Sequence, residues 1–238
     1  MITINDLTPL GIATNSKVLA IFPHPDDESA YAGGLLQRIV HTAAQLTLMT
    51  LTDGERSTLR HGLGFSEDLA TVRRQELADA CGVLGITNYQ YAHFPDGAIA
   101  ESTPQITTYI AEQITLLKPT HILVMEPVGI YGHPDHIASS QIVTELVQQQ
   151  HSDIKLIYIT VDSNYYIPSE NAKRVAVSNH ETLHPQSPDY KFELTREEQS
   201  NKLVCFQKYR SQFIVDEAFI QKWQQRTLLK FEYLAVPE

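Results

Sequence analysis

The chain has 238 residues, 42% of them hydrophobic and 19% charged, and a formal net charge of −10. That length gives one large domain or two small ones with a sizeable core, and the composition is that of a soluble globular protein. The acidic balance speaks against non-specific binding of DNA or RNA, and no run approaches the roughly 18 apolar residues needed to span a bilayer.

The beginning of the chain shows no basic segment followed by a long apolar stretch, so no signal peptide is expected and the protein is expected to be cytoplasmic. Cys81 and Cys205 lie far apart without metal-type spacing, each in an apolar helical context. They read as core residues of a reducing compartment.

Residues 1–17 are weakly patterned and broken by Pro9 and Gly11, and are expected to be an entry segment packed on the body. Residues 18–22 predict a first strand. A helix over 29–41 follows, with Asp27 or Ser29 as its cap and Gly33-Gly34 allowing close packing on a sheet. A second strand is predicted over 45–51, ending in the polar turn Thr52-Asp53-Gly54-Glu55, then a loop over 56–65. Leu69, Val72, Leu77, Ala80, Cys81 and Leu84 fit helical spacing over 66–84, and Gly85 follows as a stop.

A third strand over 89–94 ends in Pro95-Asp96-Gly97. Ser102 or Thr103 with Pro104 opens a helix to about 118, and Pro119 stops it. The fourth strand is expected over 121–125, a loop over 126–132, a helix from 133–136 to about 150, and the fifth strand over 154–161. Past 161 the alternation fails. Residues 162–191 are rich in Tyr, Asn, His and Pro, with a short strand expected over 174–178. Amphipathic helices are expected over 195–212 and 216–223, and a closing strand over 231–236.

Five strands alternating with helices, each nearly continuously apolar, predict an α/β fold. It is Rossmann-like and doubly wound, with a mainly parallel sheet in the order 3-2-1-4-5 and an elaborated C-terminal region. The whole of 1–238 is expected to be a single domain, its core about 17–161 and its elaboration 162–238. In such sheets sites form beyond the carboxyl ends of the strands, where strand order reverses. The reversal falls between the first and fourth strands.

Two polar clusters follow those two strands: Pro23-His24-Pro25-Asp26-Asp27-Glu28 and His133-Pro134-Asp135-His136. His24, Asp27 and His136 can supply two nitrogens and one oxygen to a divalent cation, the donor set of catalytic zinc with an open position for water. Asp26 points elsewhere and is free to act as general base. His133 can stabilise an oxyanion or protonate a leaving amine, and would share a helix face with His136 if that turn is helical. Asp135 can hydrogen-bond a histidine. A lone Asp27 would read as a helix cap, but the pairing of two clusters at a strand-order reversal favours a metal site. A dinucleotide site is disfavoured, because no G-x-G-x-x-G is present and Pro23 and Pro25 stand in place of glycines.

These residues resemble the PIG-L/LmbE-like zinc-dependent N-deacetylases of N-acetylated amino sugars. Further matches are Thr52-Asp53-Gly54-Glu55, Arg73 with Glu76, Leu84-Gly85, Phe94-Pro95-Asp96-Gly97, Tyr131-Gly132, Lys202 and Tyr209-Arg210-Ser211-Gln212. The resemblance covers 17–161 well and 195–212 more loosely. It implies Zn²⁺ on His24, Asp27 and His136, with Asp26 as base, His133 assisting the transition state or leaving amine, and Asp135 tuning it. It implies Tyr131 at the tetrahedral intermediate, and Glu55, Arg73 and Asp96 at sugar hydroxyls or in support of the site. For Arg73, a surface salt bridge to Glu76 is an equal expectation. Fe²⁺ suits the same donors. The expected partner is a small acetylated amino sugar, with no nucleic acid or membrane, and a homo-oligomer is left open. Other readings that keep the residues are hydrolysis of another linear amide and a catalytically silent metal-binding protein. Asp26 beside three metal donors speaks against the latter, since binding alone does not need it.

Overall fold

The computed structural model describes residues 1–64, 66–162 and 185–237. Its centre is a block of parallel strands: β2 (Lys17–Phe22), β3 (Gln45–Thr52), β4 (Tyr89–Phe94), β5 (His121–Met125) and β6 (Lys155–Thr160). Three further strands extend it: β1 (Ile2–Ile4), β7 (Tyr190–Glu193) and β8 (Phe231–Ala235). The eight-stranded order is β1-β7-β8-β6-β5-β2-β3-β4. β8 runs antiparallel to both its neighbours, so the sheet is mixed. Strand order reverses between β2 and β5, and the crevice for a site opens there.

Helices cover both faces: α1 (Asp27–His41), α2 (Leu69–Leu84), α3 (Thr103–Leu117), the single turn α4 (Gly129–Gly132), α5 (Pro134–Gln150), α6 (Arg196–Lys208) and α7 (Glu217–Gln225). The two-residue period of the strands divides the core. Val18, Ala20 and Phe22 of β2 face the layer holding Leu35, Ile39, Leu77 and Phe206 of α1, α2 and α6. Leu19 and Ile21 face Ile106, Ile110, Ile142 and Val143 of α3 and α5. Cys81 and Cys205 are fully buried and free. Among the described residues no helix is long and apolar enough to cross a membrane.

Local details differ from expectation. Within the entry segment β1 pairs in parallel with β7, and Thr8–Leu10 form a 3-10 turn. Neither β1 nor β7 was expected, because each is short and its pairing is non-local. Helix α6 stops at Lys208, and the chain folds back so that the Gln212 N–H donates to the Tyr209 carbonyl at 2.9 Å. Neither Asp27 nor Ser29 caps α1, whose N-cap is Asp26, without a side-chain capping bond. Gly85 does end α2, in left-handed backbone at φ 74°. The strand expected over 174–178 lies outside the described residues.

Candidate metal centre

His24 leaves the end of β2, Asp27 opens α1, and His136 sits in the first turn of α5. Their donor atoms form a nearly equilateral triangle. His24 Nδ1 lies 3.3 Å from Asp27 Oδ2, His136 Nε2 3.3 Å from the same oxygen, and the two nitrogens 3.3 Å apart. Donors about 2.0–2.1 Å from a tetrahedral cation stand about 3.3–3.4 Å from one another, so the spacing fits such an ion.

The outer atoms of both imidazoles set their tautomers. His136 Nδ1 faces the Gly129 carbonyl oxygen at 3.2 Å, which calls for a proton there and leaves Nε2 unprotonated. His24 Nε2 faces Asp96 at 3.1 Å and Asp135 at 3.2 Å, so its proton belongs on Nε2 and its lone pair on Nδ1. Two lone pairs and a carboxylate thus converge in a buried space, an arrangement a cation satisfies. Burial opposes a charge on His24, but Asp135, Asp27 and Asp96 overcome it and hold its pKa well above the ordinary value. The same excess of negative charge suits a divalent cation. Looser groupings, His24 with His133 and His136 and His24 with Asp96 and Asp135, keep donors within 4.8 Å. The second of these is accounted for by the His24 Nε2 proton, and neither matches the 3.3 Å triangle.

Backbone shape is specific here. Gly129 is left-handed at φ 67°, and a Cβ on it would stand 2.5 Å from the His136 Cβ. Only glycine lets α4 close over α5. Glu126, fully buried, accepts the N–H groups of Val128 at 3.0 Å and Ile130 at 2.6 Å and so shapes the loop that presents Tyr131. Tyr131 Oη lies 3.5 Å from His136 Nε2, and burial holds its hydroxyl protonated far above the ordinary range.

Asp26 occupies left-handed backbone at φ 100°, a costly conformation for a non-glycine residue. Its N–H donates to Glu28 Oε2 at 3.0 Å, and Arg73 Nη2 donates to its Oδ2 at 2.8 Å. Burial pushes the Asp26 carboxyl up to about 8, with Arg73 pulling the other way and Asp27 adding to the rise. Asp27 is held far below its usual range: burial opposes the charged form, but His136 and His24 outweigh it.

Arg73 does not pair with Glu76. It is buried, donates to the carbonyls of Gly54 and Pro25 as well as to Asp26, and belongs to the scaffold of the site. Gly54 is glycine because a Cβ would collide with the guanidinium, 1.9 Å from Nη1. Glu76 instead accepts the Ser211 N–H at 2.8 Å and hydroxyl at 2.6 Å. Glu55 Oε1 accepts the Asp96 N–H at 2.9 Å, bracing the turns after β3 and β4. Asp96 also accepts the Arg56 N–H at 2.8 Å, and against burial it is held down to about 2 by His24 and Arg56.

Asp135 faces His24 rather than the His133 ring, and its carboxylate also takes the N–H groups of Gly97 at 2.7 Å and Ile99 at 3.2 Å. His133 is the non-helical N-cap of α5, at ψ 132°, so it does not share a helical face with His136. Its Nδ1 accepts the Asp135 N–H at 3.2 Å, which leaves the proton on Nε2. Burial, then His136 and His24, push its pKa down to about 4.

A cavity of about 520 Å³ opens over the triangle. Its lining includes Tyr31, Arg56, Gln212, Phe213 and Trp223, none assigned a site role by the sequence. Tyr31 had a signal, one helical turn after Asp27 on the same face. Gln212 had one in the family resemblance at Tyr209-Arg210-Ser211-Gln212, and Arg56, Phe213 and Trp223 had none.

Fold and site define a doubly wound α/β protein with a candidate His/His/Asp cation centre at its switch point. A family model described as PIG-L, GlcNAc-PI de-N-acetylase, matches residues 19–147, more than half of the chain, and the chain belongs to that family. A probable N-acetyl-alpha-D-glucosaminyl L-malate deacetylase 2 of Bacillus anthracis is 32% identical over 131 residues, 54% of this chain and 58% of the relative. A 1D-myo-inositol 2-acetamido-2-deoxy-alpha-D-glucopyranoside deacetylase of Actinosynnema mirum is 29% identical over 171 residues, covering 62% of this chain and 60% of its own length. The chain thus spans about half to three-fifths of the curated relatives it matches. The structure of the A40926 pseudoaglycone deacetylase Dbv21 superposes with a TM-score of 0.70 at 19% identity, over 94% of this chain and 97% of that one. GalB, the 4-carboxy-2-hydroxymuconate hydratase of Pseudomonas putida KT2440, has the same fold at a TM-score of 0.64 and 14% identity, over 93% of this chain and 97% of that one. The fold alone therefore does not choose the reaction.

Proposed function

We propose that this protein is a zinc-dependent hydrolase that removes the acetyl group from an N-acetylated amino sugar or its glycoside. The observation that carries this reading is the 3.3 Å triangle of His24, Asp27 and His136 with Asp26 beside it, held apart from the triangle by Arg73. The curated relatives named above support the substrate class, being named as deacetylases of acetylated glucosaminyl compounds. Zinc is favoured over ferrous iron by the donor spacing, which suits a tetrahedral ion.

When bound, such a cation polarises a carbonyl oxygen and lowers the pKa of water to about 7. Asp26 takes the proton of the attacking water at its carboxylate. Tyr131 Oη–H and His133 Nε2–H donate to the oxygen that gains charge. His133, with its depressed pKa, serves as a neutral donor, so the proton for the leaving amine comes back from Asp26. The products are acetate and the free amino sugar. Asp135 and Asp96 orient His24, and Glu55 and Arg73 brace the turns around the site. A single domain, with its core over 17–161 and its elaboration over 162–238, is supported by Gln212, Phe213 and Trp223 lining the cavity together with residues of the core.

The test is acetate release from N-acetylglucosamine and its glycosides by zinc-loaded protein, with N-acetyl amino acids as the competing panel. Release from the sugars, lost in Asp26→Asn, supports the proposal. Release from the amino acids alone, or unchanged turnover by Asp26→Asn, overturns it.

A further inference from the structure

Resting on the deacetylase reading, we infer that Tyr31 sets the length of acyl group the site accepts, confining it to acetyl. Tyr31 stands four residues after Asp27 on α1, so the two share a helix face, and both line the cavity with His24. Tyr31 is half-buried. Among the described residues its hydroxyl makes no hydrogen bond.

Among the described residues the cavity has an aromatic side and a polar side. The Tyr31 and Trp223 rings are 6.2 Å apart, Trp223 and Phe206 4.5 Å, and Phe213 and Phe219 5.6 Å. On the polar side Arg56 donates to Asp96, and Ser57 donates to Gln212 at 2.8 Å. A sugar loses less solvation when its hydroxyls meet the polar wall, which leaves the acyl chain to the aromatic one. There the chain meets Tyr31. Trp223 packs on Phe206, which is fully buried, and so braces the Tyr31 ring from behind. On this inference an acetyl methyl is accommodated beside the ring, and each added methylene meets it.

The test compares zinc-loaded wild type, Tyr31→Ala and Tyr31→Phe on N-acetyl-, N-propanoyl- and N-butanoylglucosamine, reading kcat/KM by amine release. Wild type should prefer acetyl. Tyr31→Ala should shift the butanoyl-to-acetyl ratio upward by about 10-fold or more, the range a methylene commands in an apolar pocket. Tyr31→Phe, which keeps the ring, should hold the wild-type ratio. A Tyr31→Ala ratio equal to wild type, or a Tyr31→Phe ratio relaxed as far as Tyr31→Ala, overturns the inference. If the alanine variant does not fold, Tyr31→Leu replaces it with the same expectation. Trp223 is the only tryptophan in the chain, so its fluorescence gives a second readout. Titrating Asp26→Asn protein with the three sugars should show tighter butanoyl binding only when Tyr31 is also removed. If wild type releases no amine from any sugar, the deacetylase reading fails. In that event the titration alone decides Tyr31, and an unchanged order of binding rejects it.

Discussion

The two flanks of the sheet contribute differently. The parallel block β2–β6 carries every donor of the metal triangle, and all three come from two short segments, 24–27 and 133–136. The C-terminal block of β7, α6, α7 and β8 carries none of them. It supplies support and a wall. Tyr209 donates to Glu28 at 2.6 Å, Ser211 bonds Glu76, and Phe213 and Trp223 line the cavity. Lys202 and Glu232, both fully buried, pair at 2.6 Å, and Glu232 also takes the N–H groups of Gly34 and Leu35 inside α1. The chemistry is compact in sequence and its buttress is dispersed, because ligands must converge within a few ångströms while support only has to hold the helices that carry them.

Mutations can break this division or sharpen it. The largest effect is expected for Asp27→Ala, which removes the oxygen vertex. Zinc retained after dialysis should fall from one per chain to none, with the fold intact by circular dichroism, and a zinc-loaded variant would sever the triangle from metal binding. Asp26→Asn should keep zinc and lower kcat by about 10²- to 10⁴-fold, as loss of a general base does. Lys202→Met tests the other flank. It strands Glu232 as a buried unpaired carboxylate and should cost about 3–5 kcal/mol in denaturant unfolding. Metal affinity measured in the folded range should be unchanged, and a large loss there would mean that the flanks are not separable.

Asp135→Asn should weaken zinc by about 10- to 100-fold through the orientation of His24, with a smaller effect on folding. If zinc affinity held while only the pH profile moved, Asp135 would be acting on His133 after all. Tyr209→Phe is expected to be the mildest, about 1–3 kcal/mol of stability, since Glu28 keeps Ser29 and the Asp26 N–H as partners.

The sequence by itself determined the mainly parallel α/β architecture and picked out the residues whose donor atoms converge in the candidate triangle. Apolar runs of five to eight residues between helical patterns have few alternatives to a covered parallel sheet. Two His/Asp clusters after strands on either side of a reversal must meet there. The outer parts were decided only by the tertiary structure. β1 and β7 are recognisable only once paired, because neither is long enough to show a pattern. Arg73 could be a surface partner of Glu76 or a brace for Asp26 on spacing alone, and folding the turn at Pro25 and Gly54 onto α2 decided for the brace. Asp135 lies one residue from His136 and two from His133, yet its carboxylate reaches His24, 111 residues away. Local sequence fixes which groups stand at a turn. Only the packing of elements distant in sequence decides which atom each group faces.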